Sequence, residues 1–204
     1  MLLPACLLML PAQLKLGYLY PFIDKDWAIE SWTLFRKAIE HVNANTSVLP
    51  AHQLSFEFFD TAVDGDPKET AALSGAITLL ESTDIVGIVG TAYSSTLPSA
   101  AIYSSLREKP IISPGSTSPQ LIDKAAHPYL LRSVASMRAS ILGAVATIVD
   151  HGWKHVAVLG ARGAFGEALY TSIETELKQA DVSIAYSALV PGQGAAEGSL
   201  EATM

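Results

Sequence analysis

Residues 85–90 read Ile-Val-Gly-Ile-Val-Gly, with no polar side chain among them. A strand with one wet face alternates apolar and polar residues, whereas a strand covered on both faces has no reason to. The segment therefore reads as an inner strand of a parallel sheet. Parallel neighbours cannot be joined by a tight hairpin. They need crossovers of roughly a dozen residues or more, usually helical. That requirement organises the rest of the chain.

The hydrophobic period switches repeatedly between two and about 3.6 residues. Strands are predicted at 15–21, 53–60, 85–90, 110–113, 129–134, 155–160 and 183–189. Helices are predicted at 28–45, 66–82, 94–107, 137–151 and 165–180, with a short one from Pro119. The first carries Trp32, Phe35, Ile39 and Val42 at helical spacing. The second opens with Asp66 as a cap and Pro67 in its first turn, and its expected inner face is Leu73, Ile77 and Leu80. Residues 191–204 show no period and read as a linker or a truncated tail. Alternating strands and helices give the fold class: α/β, with a Rossmann-like parallel sheet and right-handed crossovers.

At 204 residues and 50% hydrophobic, the chain can build one core or two small ones. A net charge of −7 argues against nucleic acid and anionic membrane surfaces as partners. Cys6 is the lone cysteine, which leaves no disulfide and no cysteine-based metal site. Residues 1–13, apolar and ending in small residues, read as a secretory leader, with a mis-started N-terminus as the alternative. They are too short to span a bilayer. Asn45-Thr46-Ser47 is an N-glycosylation sequon.

In parallel α/β sheets, ligands bind beyond the carboxyl ends of the strands. Two such places share one composition. Residues 90–96 (Gly-Thr-Ala-Tyr-Ser-Ser-Thr) and 113–119 (Ser-Pro-Gly-Ser-Thr-Ser-Pro) each follow an apolar strand and open a helix. Helix N-termini offer unpaired N–H groups and a partial positive charge, and hydroxyls add uncharged donors. An anion held between the two turns is one reading. Ordinary capping by Ser and Thr is the other, with Ser118 as the cap before Pro119. Neither turn contains Lys or Arg, which favours a carboxylate or zwitterion over a phosphate.

Other chemistry is thinner. Gly160, Gly163 and Gly166 lie between a strand and a helix, but their G-x-x-G-x-x-G spacing is not the dinucleotide fingerprint, and no acidic residue closes the next strand. A nucleotide-dependent oxidoreductase of Rossmann type is the alternative function on this ground. His41, His52, His127, His151 and His155 show neither metal spacing nor a triad pattern. Asp60, Asp64 and Asp66 read as a solvated loop with a helix cap, without an EF-hand pattern. No catalytic residue, metal or cofactor is assigned.

The segments AIEHVNAN (38–45), FFD (58–60), SPGSTSPQL (113–121), YLLRSV (129–134) and HGWKHVAVL (151–159) together resemble the ligand-binding region of type I periplasmic-binding-like receptors. That group includes branched-chain amino-acid binding proteins and the extracellular domains of metabotropic GABA and glutamate receptors. The resemblance covers residues 14 to about 190 and implies lobe 1 over 14–133 and the start of lobe 2 over 134–190. It implies a non-enzymatic, extracellular or membrane-associated sensor of a small amino-acid-type ligand such as GABA or glutamate, with a secreted or periplasmic protein as the alternative. The matching carboxylate positions are Ser94 and Thr117, with Ser95 and Ser116 beside them and Trp27 as a pocket wall. The resemblance also allows a dimer through lobe 1. Cysteines usual near the second strand are absent, as are most of lobe 2 and any membrane part, so the chain reads as a fragment of a larger receptor.

Overall fold

The computed structural model describes residues 12–22, 26–63, 66–67, 69–82 and 84–190. Most of the expected leader (1–11), Asp64 of the acidic loop and the 191–204 tail lie outside the described residues. Five strands form one parallel sheet: β1 (Ala12–Tyr20), β2 (His52–Asp60), β5 (Ile85–Gly90), β6 (Ile111–Ser113) and β7 (Leu130–Arg132), in the order β2-β1-β5-β6-β7. Two-residue segments β3 (Ala62–Val63) and β4 (Asp66–Pro67) pair antiparallel after β2. A second, smaller unit holds β8 (His155–Ala161) parallel to β9 (Ser183–Val190). The α/β class and the Rossmann-like order follow the expectation from the sequence. Ala12 and Gln13, assigned to the leader by sequence, pair with His52 and Gln53 as the start of β1.

Helices lie on both faces of the sheet and β5 is buried or half-buried along its length, as its unbroken apolar run requires, while Ile112 of β6 and Leu131 of β7 are 38% and 49% exposed. Along β1, Tyr18 and Tyr20 point to one side and Leu19 to the other. On the tyrosine side lies α1 (Asp26–Ala44), which stacks Phe35 on Tyr18 at 4.3 Å and sets Trp32 edge-on to Phe56 at 5.4 Å. On the Leu19 side lie α2 (Glu69–Glu81) and α3 (Leu97–Leu106). There Leu19, Leu79, Ile85, Ile88, Leu97, Ile111 and Leu130 form the main core. The small unit has its own core of Val145, Val158, Leu177 and Val182, built by α4 (Arg138–Asp150) and α5 (Ala164–Gln179).

Three expectations are corrected. The second helix starts at Glu69, not Asp66, because the backbone of 66–67 pairs with 62–63 instead. Its buried face is Ala72, Gly75, Ala76, Leu79 and Leu80, while Leu73 and Ile77 are 37% and 39% exposed. Wedged between the sheet and α3, α2 presents small residues inward, so its bulky Leu73 and Ile77 do not mark the core. The third helix begins at Leu97, so Ser94 and Ser95 stand in the turn before it.

β1 connects to β2 on one side of the sheet, and β5 returns on the other side of β1. The crevice beyond the carboxyl ends of β1 and β5 is thus the topological switch point, where such sheets bind ligands.

Candidate ligand-binding site

β5 and β6 are parallel neighbours, so their hydroxyl-rich turns lie side by side. The two turns are also bonded to each other. The Ser118 N–H donates to Ser94 Oγ at 3.1 Å, and Ser113 Oγ donates to the Thr91 carbonyl at 2.7 Å. Gly115 permits this contact: a Cβ there would lie 2.5 Å from the Ala92 carbonyl oxygen. The sequence placed both turns at strand ends, but their mutual bonding needed the register.

The hydroxyls divide into two groups. Thr91, Thr96, Ser113 and Ser116 are buried. Thr96 donates to Thr91 Oγ1 at 2.8 Å, and Thr91 donates to the Tyr93 carbonyl at 3.1 Å. Ser116 donates to the Thr91 carbonyl at 3.4 Å, and its N–H donates to Ser113 Oγ. These four are the frame, and Ser116 braces the loop from inside. Ser94, Ser95 and Thr117 are half-buried. Ser94 Oγ accepts from Ser118 and keeps its own proton to donate. Among the described residues, the Ser95 and Thr117 hydroxyls have no partner.

Ser118 occupies the position before the 3-10 turn Pro119–Ile122, but its side chain makes no capping bond. The expected cap is therefore not formed. The backbone N–H of Ser118 is spent on Ser94, and the residue is buried. Thr96, in the equivalent place before α3, likewise makes no side-chain cap.

Arg132 was missed as part of this site. Neither turn carries a basic residue, yet β6 pairs with β7 in a register that sets Arg132 beside Ser113. Its Nη1 donates to the Ser118 carbonyl at 2.9 Å and the Ser116 carbonyl at 3.4 Å. Burial pulls the Arg132 pKa down from the ordinary guanidinium value, though an arginine stays charged at neutral pH. A fixed cation thus stands directly behind the second turn. The signal for it was Arg132 at the end of a strand next to a strand ending at Ser113.

Trp27 lies in the first turn of α1, half-buried. Its ring meets Tyr20 edge-on at 6.0 Å and Tyr93 at 5.8 Å. Tyr93 belongs to the first hydroxyl turn, so Trp27 stands at the switch point, across from Ser94 and Ser95.

The glycine-rich turn after β8 is built differently. Glu167 puts its Oε1 3.2 Å from the Gly163 N–H at the start of α5. The helix N-terminus is thus occupied by the chain's own carboxylate, which would repel a pyrophosphate. Gly166 is a packing glycine, since a Cβ there would lie 2.0 Å from the Ala161 carbonyl oxygen. The nucleotide reading finds no support. Among the described residues, no three His, Cys, Asp or Glu side chains gather as a metal site.

This arrangement of a Rossmann-like parallel sheet with a donor-lined switch point is that of a type I periplasmic-binding-like lobe. The family described as "Receptor family ligand binding region" matches residues 34–203, and the chain belongs to it. Taste receptor type 1 member 2 of Cebuella pygmaea is 26% identical over 166 residues, covering 76% of this chain and 20% of the relative. Metabotropic glutamate receptor 8 of Homo sapiens is 28% identical over 145 residues, covering 69% and 16%. Glutamate receptor 2.5 of Arabidopsis thaliana is 26% identical over 127 residues, covering 61% and 14%. The chain thus spans a fifth or less of the length of these relatives. No helix among the described residues is long and apolar enough to cross a membrane.

Proposed function

We propose that this chain is the carboxylate-holding part of an extracellular receptor domain that senses a small amino-acid-type ligand without catalysing its conversion. Residues 14–133 would be lobe 1 and 134–190 the start of lobe 2. Ser94, Ser95 and Thr117 would donate to the carboxylate, Trp27 would wall the pocket, and Ser116 would hold the loop. The observation that carries the reading is the sorting of hydroxyls: those of Thr91, Thr96, Ser113 and Ser116 are bonded inside, and the Ser95 and Thr117 hydroxyls at the switch edge have no partner among the described residues. Arg132 adds positive potential behind them without itself reaching forward, because its Nη1 is bonded to backbone carbonyls. Relatives named for glutamate favour an α-amino acid, and GABA or a similar zwitterion fits the same donors. In a larger membrane receptor, the second lobe would close over this edge, and the exposed Leu73 and Ile77 of α2 offer lobe 1 a face for a dimer.

The test is an NMR titration of the chain with millimolar glutamate, GABA and glycine, each beside its uncharged carboxamide counterpart. Because one lobe alone contributes, binding is expected to be weak and in fast exchange. The carboxylates should shift the amide signals of Ser94, Ser95 and Thr117, and the carboxamides should not. No shift with any carboxylate, or equal shifts with the carboxamides, would reject the reading.

A further inference from the structure

The chain has two asparagines, Asn43 and Asn45, and the structure treats them oppositely. Asn43 is locked into the fold. Its Nδ2 donates to the Leu54 carbonyl at 2.8 Å, and its Oδ1 accepts from the Leu54 N–H at 2.7 Å. This pair of bonds ties the end of α1 to β2. Asn45 lies just beyond the end of α1, in an exposed turn, and residues 45–48 are all exposed. Its Oδ1 accepts from the Ser47 hydroxyl at 2.7 Å and the Ser47 N–H at 3.1 Å. Among the described residues, nothing accepts from its Nδ2.

Asn45-Thr46-Ser47 is also the single Asn-x-Ser/Thr triplet in the chain. We infer that Asn45 is an N-glycosylation acceptor, an inference that rests on the extracellular part of the proposed function. Three features meet at one residue: the triplet, the exposure of residues 45–48, and an amide nitrogen that the described fold does not use. Had Asn43 headed the triplet, a glycan would have cost the bonds to Leu54.

The step is a group transfer. Asn45 Nδ2 forms a bond to the anomeric carbon of a lipid-pyrophosphate-linked oligosaccharide, under the transferase of the secretory lumen. The bond from that carbon to the pyrophosphate oxygen breaks, the pyrophosphate leaves with the electron pair, and Nδ2 gives up one of its two protons.

Position gives the glycan its meaning. The turn precedes His52, the first residue of β2, so it sits at the amino-end edge of the sheet. The hydroxyl turns lie at the carboxyl-end edge. A bulky, solvated glycan at Asn45 would leave the candidate pocket open. It would also keep the end of α1 and the start of the edge strand β2 in solvent, away from any subunit contact.

The experiment delivers the full chain, behind an added cleavable secretion signal, into eukaryotic microsomes that modify a control acceptor. The parent should show one mobility step, removed by peptide-N-glycosidase, with mass spectrometry finding Asn45 converted to Asp. Asn45→Gln and Ser47→Ala should abolish the step. Ser47→Thr and Asn43→Gln should keep it, the latter because the triplet is untouched. A step that survives Asn45→Gln would overturn the inference. So would the absence of a step in both the parent and Ser47→Thr while the control is modified. The carboxylate titration reads the proposed function separately: it should give the same shifts with and without the glycan, whichever way the mobility assay falls.

Discussion

Two kinds of strand–turn–helix junction stand in this chain, and they look alike on paper. The turns after β5 and β6 are rich in hydroxyls, and the turn after β8 is rich in glycine. Each offers a helical N-terminus to an anion. The glycine-rich turn has already filled that place with Glu167. The hydroxyl turns have spent Thr91, Thr96, Ser113 and Ser116 on internal bonds and left three hydroxyls at the edge. The difference teaches that a site is defined by donors still unspent after folding, not by the residues that allow a turn. Glycines can mean close packing only, as Gly166 against Ala161 shows.

The largest effect should come from pushing the two hydroxyl turns apart. Gly115→Val places side-chain atoms against the Ala92 carbonyl and should cost about 3 kcal/mol by overpacking. A denaturant melt measures this, and the carboxylate-induced NMR shifts should vanish with it. Gly163→Ala, with nothing within 4 Å of its added Cβ, meets only the strain of a φ of 104° and should cost less.

Next in size is Arg132→Met. It strips a charged donor from the Ser116 and Ser118 carbonyls, and hydrogen bonds to charged groups are worth about 1.5–3 kcal/mol. The melt should fall by about 2 kcal/mol. Arg132→Lys should recover only part, since an ammonium lacks the planar fork. Equal stability of all three proteins would remove Arg132 from the account.

Smaller still, Glu167→Gln leaves a neutral acceptor at the start of α5 and should lower stability by about 0.3–1 kcal/mol. If the comparison holds, this variant still gives no thermal shift with a dinucleotide, because no ribose-binding acid follows. A dinucleotide-dependent shift would revive the oxidoreductase reading. Smallest is Ser118→Ala. A true N-cap deletion costs about 1 kcal/mol. With no side-chain cap bond formed at Ser118, a loss below about 0.5 kcal/mol is expected.

Much of this was legible in the sequence because it depends on period and on local turn chemistry. The apolar run at 85–90 required a covered parallel strand, and the alternation around it gave the sheet. What stayed hidden depends on partners distant in sequence. The α2 face was misread because Leu73 and Ile77 are larger and more apolar than Ala72 and Ala76, and close packing reversed the preference. Ser118 looked like a cap because local rules favour it, but its hydroxyl makes no capping bond, and the residue is instead tied through its N–H to Ser94, 24 residues earlier. Arg132 was visible as a residue but not as a neighbour of Ser116, which only the β6–β7 register shows.

The central claim is that edge hydroxyls left unspent by the fold hold a carboxylate, and Thr117 tests it most directly. Among the described residues its hydroxyl bonds to nothing, while its backbone carbonyl accepts from the Met137 N–H at 2.9 Å, a bond that survives substitution. Thr117→Ala should therefore leave the melt unchanged. Its affinity for the carboxylate that shifts the parent most, measured by NMR titration, should fall roughly tenfold or more, equivalent to about 1.4 kcal/mol. An unchanged affinity in a stably folded Thr117→Ala would contradict the account, leaving both turns as structural joints alone.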